Sequence, residues 1–98
     1  MSVDTDALMA VLTDTHAILT RQGNDFSWSS FPDADAALQE VEELSAAVRA
    51  GDPPLLMLTI LFAPTGPIQE VSLSSGWAEE FLVLADRFDA AIANAALP

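Results

Sequence analysis

The chain has 98 residues, of which 51% are apolar, and carries fifteen acidic side chains against three arginines and no lysine. The formal net charge of −12 disfavours nucleic acid and anionic membranes, because both are bound through cationic side chains. The apolar content excludes a disordered chain, and the absence of cysteine excludes disulfides and thiolate metal sites. We expect one domain over residues 1–98 and a cytoplasmic location, because no basic signal-peptide segment precedes the first apolar residues.

The N-terminal residues 4–22 predict an amphipathic helix, with Asp4 as its N-cap and Gly23 at its end. The only histidine, His16, lies at the edge of the apolar arc and has no acidic residue three or four positions away. A catalytic histidine needs an orienting partner, so we interpret His16 as a residue at the boundary between core and surface.

The next segments predict a short strand followed by a second helix. Residues 25–30 alternate apolar and polar side chains, which is typical of a strand. Asp33 or Asp35 can cap the helix that follows, and Gly51 with the two prolines behind it ends that helix. The acidic residues of this helix spread around its outer face, which indicates a solvated surface rather than a cation site.

The run Leu55–Phe62 is the most apolar stretch of the chain, with seven apolar residues in eight. It is far too short to span a membrane, and prolines bound it on both sides. We therefore predict a buried strand at this position.

A turn and a second strand are expected to follow. Ala63–Gly66 has proline at its second position and glycine at its fourth, which is typical of a type I turn. Residues 68–73 then alternate in polarity and predict a half-exposed strand, paired with 55–62 in a hairpin. A last helix is predicted from Trp77 to about Leu97, beginning at Ser75 or Gly76.

These elements predict an α+β fold of three helices covering a small sheet, in the order α-β-α-β-β-α, with strand 55–62 at its centre. A strand that is apolar on both faces needs a neighbour on each side. The second neighbour is either residues 25–30, through a βαβ crossover, or the same strand of another chain. The wide apolar arc of the last helix favours a homodimer in either arrangement.

The sequence contains no catalytic or metal-binding motif. It lacks a nucleophile elbow, a P-loop, a zinc motif and a calcium-binding loop, so we expect no catalytic residue, no metal and no cofactor. Ser74, Ser75 and Gly76 are interpreted as a helix cap rather than an anion site, because the two following glutamates oppose an anion.

Aromatic residues beside predicted loops are the candidate binding residues. Tryptophan at a loop can line a ligand pocket or anchor a partner, although it can also fill the end of a small core. The predicted pocket lies between the two tryptophans and the Pro64–Gly66 turn. Its residues are Trp28, Phe31, Thr65 and Trp77.

Three functions are compatible with this sequence. The first is a non-enzymatic interaction module that presents an acidic, aromatic surface to a basic protein partner. The second is a small-ligand-binding domain or small enzyme, with its pocket near Trp28 and Trp77. The third is an acidic inhibitor that mimics nucleic acid, which requires carboxylates in a continuous stripe.

Overall fold

The computed structural model describes residues 3–93, and this part of the chain is entirely helical. The five helices are α1 (Thr5–Leu19), α2 (Ala34–Arg49), α3 (Leu55–Leu61), α4 (Pro67–Ser75) and α5 (Ala78–Ile92). No strand occurs in the described residues, so the predicted α+β fold with three helices and a sheet is wrong.

Helices α1 and α2 begin where the sequence predicts, whereas α1 ends at Leu19, before the predicted end at residue 22. The Asp4 side chain accepts a hydrogen bond from the backbone N–H of Ala7 (3.1 Å), and Asp33 caps α2 in the same way. Gly51, with a φ of 87°, follows the end of α2. The predicted last helix is shorter at its start than expected, and its predicted end near Leu97 lies outside the described residues.

The apolar run that was predicted as the central strand forms helix α3. Its side chains are apolar on every face, so their pattern cannot separate a period of two from one of 3.6. Pro53 and Pro54 precede the helix, where the first N–H groups have no intrahelical acceptor and proline is tolerated. In the helix, Leu58 and Leu61 are buried, whereas Leu56 is 74% exposed.

The predicted strand 68–73 is also wrong, because this segment belongs to α4. Pro67 occupies the first turn, and the buried residues Ile68, Val71 and Ser72 follow the spacing of one helix face. Gly76 ends α4 with a φ of 84°, and its N–H and that of Trp77 both donate to the Ser72 carbonyl (3.0 Å). Ser75 and Gly76 therefore end one helix and do not begin the next.

Residues 25–30 form turns rather than the predicted short strand. The backbone N–H of Ser27 donates to the Asp25 side chain (2.8 Å), and the N–H of Ser29 donates to the Phe26 carbonyl (3.1 Å). Such local bonds compete with strand pairing in segments rich in serine and aspartate. With no strand here or at 55–62, the question of a second strand neighbour disappears, and so does the sheet-based reason for a dimer.

Helix α1 lies at the centre of the packing. It contacts α2 on one side and α5 on the other, while α5 also packs on α4 and α4 on α3. The start of α1 is joined to the end of α5 by a bond from the Asp4 N–H to the Ala91 carbonyl (2.9 Å). The Phe62 ring, just after α3, stacks on Phe88 of α5 with centroids 4.8 Å apart. These contacts give one continuous apolar core to which all five helices contribute.

None of the five helices combines the length and apolar character that crossing a bilayer requires, as judged over residues 3–93.

Candidate functional site

The structure separates the four residues predicted to line a pocket. Phe31 and Trp77 are core residues, each about 5% exposed. Trp28 is 76% exposed in the α1–α2 loop, and Thr65 is exposed in the turn after α3. None of these residues lines any of the three grooves described below.

Trp77 instead holds the α1–α2 loop against the helices. Its indole Nε1–H donates to the Asn24 side chain (2.8 Å), and the Asp25 N–H donates to the Ser75 hydroxyl (2.8 Å). Further along the loop, the Ser29 hydroxyl donates to the Pro67 carbonyl (3.2 Å). The polar end of a buried tryptophan needs such a partner, so Trp77 has a structural explanation.

Helix α3 carries three of the seven large apolar side chains that are exposed in residues 3–93, more than any other helix. We call Leu56, Met57 and Ile60 the α3 apolar face; they are 74%, 52% and 55% exposed. Ile60 is four residues after Leu56 and three after Met57, so the three side chains share one side of the helix. Scattered exposed apolar residues are normal, whereas three on two turns of one helix indicate a contact surface.

A groove lies on each side of this face. The first, of about 190 Å³, runs between α3 and the start of α2 and α4, and its lining includes Met57, Ile60, Ser30 and Glu40. The second, of about 290 Å³, runs between α3 and α5 and includes the 58% exposed Leu82. Sequence analysis missed this surface because a buried strand leaves none of these side chains exposed.

Carboxylates edge both grooves, and no arginine lines either of them. We call Glu40, Asp86 and Asp89 the carboxylate rim, since Glu40 lines the first groove and the two aspartates line the second. An apolar centre with a charged rim is the general organisation of a protein interface. The sign of this rim selects positive charge on whatever binds there.

Tertiary structure gives His16 the acidic partner that its own helix lacks. Its Nε2–H donates to the Glu42 carboxylate on α2 (3.0 Å), with both side chains partly exposed. The bond leaves Nδ1 of the neutral ring as an acceptor. The described residues place no hydroxyl in hydrogen-bond contact with this nitrogen, so the pair lacks the nucleophile that a catalytic triad requires.

Two of the three arginines form ion pairs with carboxylates of other elements: Arg21 lies in the loop just after α1, and Arg87 lies in α5. Arg21 donates two bonds to Glu80 (3.2 and 2.9 Å), and Arg87 donates one to Asp14 (2.8 Å). The bonds between them raise the pKa of Arg21 and lower the pKa of Glu80. Both side chains are about half exposed, so solvent weakens the contribution of this pair to stability.

Other carboxylates also have structural roles. Hydrogen bonds from Ser27, its hydroxyl first and then its backbone N–H, lower the pKa of Asp25. Over residues 3–93, no three acidic or histidine side chains converge as a metal site requires. The three acids in ion pairs or histidine bonds contact three different basic side chains at separate places, which gives no support to a continuous nucleic-acid-like stripe.

Comparison with known proteins adds no family. No family model matches the chain, and neither a curated protein nor a solved structure matches it significantly.

Proposed function

We propose that this chain is a protein-interaction module that binds a basic amphipathic segment on the α3 apolar face. The observation that carries the proposal is the exposure of Leu56, Met57 and Ile60 between two grooves. Burying these side chains against apolar residues of a partner removes apolar surface from water, at about 25 cal/mol for each Å².

The charge of the rim supports a basic partner over a second copy of this chain. Glu40, Asp86 and Asp89 edge the grooves, and a second copy would bring the same three carboxylates against them. Like charges across an interface oppose association, whereas lysine and arginine flanking an apolar stripe would pair with the rim. An amphipathic helix of this kind fits a groove through its apolar stripe.

Trp28 extends the proposed surface. It immediately precedes Ser29, whose hydroxyl is bonded to Pro67, and Ser30, which lines the groove beside Met57. Its large aromatic ring is 76% exposed, two residues from a residue that lines this groove, and is a suitable anchor for a partner. Among the residues predicted from sequence, Trp28 alone is retained in this proposal, and Thr65 stays a prediction.

The experiment uses two synthetic helical peptides with the same leucine stripe, one flanked by lysines and one by glutamates. Binding is followed by NMR on the isotope-labelled chain. We expect the lysine peptide to bind and to cause chemical-shift changes centred on Met57 and Ile60. Its affinity should fall as added salt screens the charge of the carboxylate rim. The glutamate peptide should not bind.

Ile60→Ser is the test variant, and Val83→Ser is its matched control. Ile60 and Val83 are 55% and 58% exposed, and Val83 lines neither groove. Loss of lysine-peptide binding in the first variant alone supports the proposal. Equal weakening in both variants, or equal binding of both peptides, contradicts it.

The homodimer expected from sequence stays a proposal that sedimentation of the free chain can decide. A dimer that Ile60→Ser dissociates would assign the α3 apolar face to a second copy and contradict a basic partner. The cytoplasmic location expected from sequence also stays a proposal, which fractionation of the producing cell tests.

A further inference from the structure

The groove between α1 and α2 lies away from the α3 apolar face and contains a different set of side chains. Its volume is about 370 Å³, within the usual size of small-ligand sites. The lining includes Met9, Thr13 and His16 from α1, and Glu42, Ser45 and Arg49 from α2.

These residues form three successive levels along the groove. The His16–Glu42 bond aligns the two helices at one level. Thr13 and Met9 lie three and seven residues before His16, while Ser45 and Arg49 lie three and seven residues after Glu42. Because Met9 and Arg49 line the same groove as the bonded His16 and Glu42, the two helices run antiparallel along it, with Thr13 level with Ser45 and Met9 level with Arg49.

The groove therefore carries opposite charges at its two ends. Glu42 and Arg49 are two helical turns apart on one side of α2, so their Cα atoms are separated by about 10 Å. The hydroxyls of Thr13 and Ser45 lie between them. Met9 contributes apolar surface at the Arg49 end.

Arg49 differs from the other two arginines in its partners. Arg21 and Arg87 are each bonded to a carboxylate, whereas Arg49 forms no ion pair with any residue in the range 3–93. Within the same range, neither the Thr13 nor the Ser45 hydroxyl donates or accepts a side-chain hydrogen bond. The groove thus offers a guanidinium fork and two hydroxyls to a ligand.

We propose that the α1–α2 groove binds a small zwitterion, with its carboxylate on Arg49 and its ammonium group on Glu42. Oε2 of Glu42 accepts from His16, and its second oxygen is available to the ammonium group. The hydroxyls of Thr13 and Ser45 contact the body of the ligand.

Charge distinguishes a zwitterion from a simple anion or cation. An anion would be attracted by Arg49 but repelled by Glu42 and by a chain of net charge −12. A cation would be attracted to acidic residues over the whole surface and not to this groove in particular. At physiological salt, screening weakens the effect of charges that lie more than about 8 Å from the ligand. The charged groups at the two ends of the groove therefore decide which ligand is preferred.

The probes are aminocaproate, which carries both charged groups on a flexible chain, and caproate and hexylamine, which carry one each. Binding to the full chain is measured by NMR at the amides of Thr13 and Ser45. We expect aminocaproate to bind about fivefold more tightly than either single-charge probe, as one further exposed ion pair allows.

Arg49→Gln and Glu42→Gln test the two ends separately. The first should reduce aminocaproate affinity to that of hexylamine, and the second should reduce it to that of caproate. Arg21→Gln is the matched control, since it removes one positive charge outside the groove and should leave all three affinities unchanged. Thermal unfolding of each variant checks that it is folded.

Two results would overturn the proposal. One is equal affinity of the three probes, or shifts that sodium chloride reproduces at the same ionic strength. The other is an order of affinities that follows only the net charge of the probe, with hexylamine bound most tightly by every variant. General attraction of a cation to the acidic surface is sufficient to explain that order.

Discussion

Gly66 shows how one residue sets the path between two helices. Its N–H donates to the Ala63 carbonyl (2.8 Å), which closes the turn predicted over Ala63–Gly66. Gly66 then serves as the N-cap of α4. A Cβ at this position would overlap the carbonyl oxygen of Ile60 at the end of α3. The close approach of the two helices therefore depends on glycine here.

Gly66→Ala should destabilise the chain by about 2 kcal/mol, because the overlapping atom belongs to backbone and cannot rotate away. Urea unfolding followed by circular dichroism measures the change. Thr65→Ala, one residue earlier and exposed, is the control and should stay within about 0.5 kcal/mol of the parent. Equal stability of Gly66→Ala and the parent would show that the turn does not approach α3 so closely.

At the scale of elements, α3 distinguishes the observed fold from the predicted one. A strand over 55–62 places Leu56 and Leu58 on the same face, since side chains two residues apart point the same way. A helix places them about 200° apart, and the structure has Leu58 fully buried and Leu56 74% exposed. The different burial of Leu56 and Leu58 therefore distinguishes a helix from a strand at this position.

Leu58→Ala should cost about 2–5 kcal/mol, the usual loss for a buried leucine, whereas Leu56→Ala should stay within about 0.5 kcal/mol of the parent. Both are measured by denaturant unfolding. Similar losses for the two variants would contradict the helix and favour the strand. Leu56→Ala should also lower the affinity of the chain for the lysine peptide, because Leu56 belongs to the α3 apolar face.

At the scale of the whole molecule, fifteen acids and three arginines make stability dependent on pH. The pKa of Glu80 is lowered by Arg21, and the pKa of Asp25 is lowered by Ser27. A carboxyl whose pKa is lower in the folded state stabilises that state above its unfolded pKa. The contribution is lost as the pH falls through the folded pKa. Acid should therefore weaken the contact between the end of α1 and the start of α5.

Glu80→Gln tests this contact. The variant should be less stable than the parent at neutral pH. This difference in stability should disappear as the pH falls below 4.5, the ordinary pKa of a glutamate side chain, and through the lower pKa of Glu80 in the folded state. Unfolding midpoints across this range measure it. Glu79→Gln removes the same charge from a residue that forms no ion pair within residues 3–93, and should show no such loss. A difference that persists unchanged in acid would contradict the role of the Glu80 carboxylate.

The sequence alone determined the N-cap of α1, limited the N-cap of α2 to Asp33 or Asp35, and determined the end of α2 and the net charge of the chain. Asp4, Asp33 and Gly51 act through bonds and dihedrals within a few residues, so local chemistry is sufficient to predict them. The acidic character from which we propose a basic partner is likewise a property of composition.

Only the tertiary structure decided the class of fold and the candidate sites. The apolar run 55–62 satisfies both a strand and a helix, and packing on α4 and α5 selects the helix, which exposes Leu56, Met57 and Ile60. Trp77 was predicted to line a pocket but is buried, because Asn24 supplies the partner that its indole requires. Glu42 reaches His16 from a helix 26 residues further along the chain. Contacts of that range depend on how helices pack, and side-chain periodicity within one helix carries no information about them.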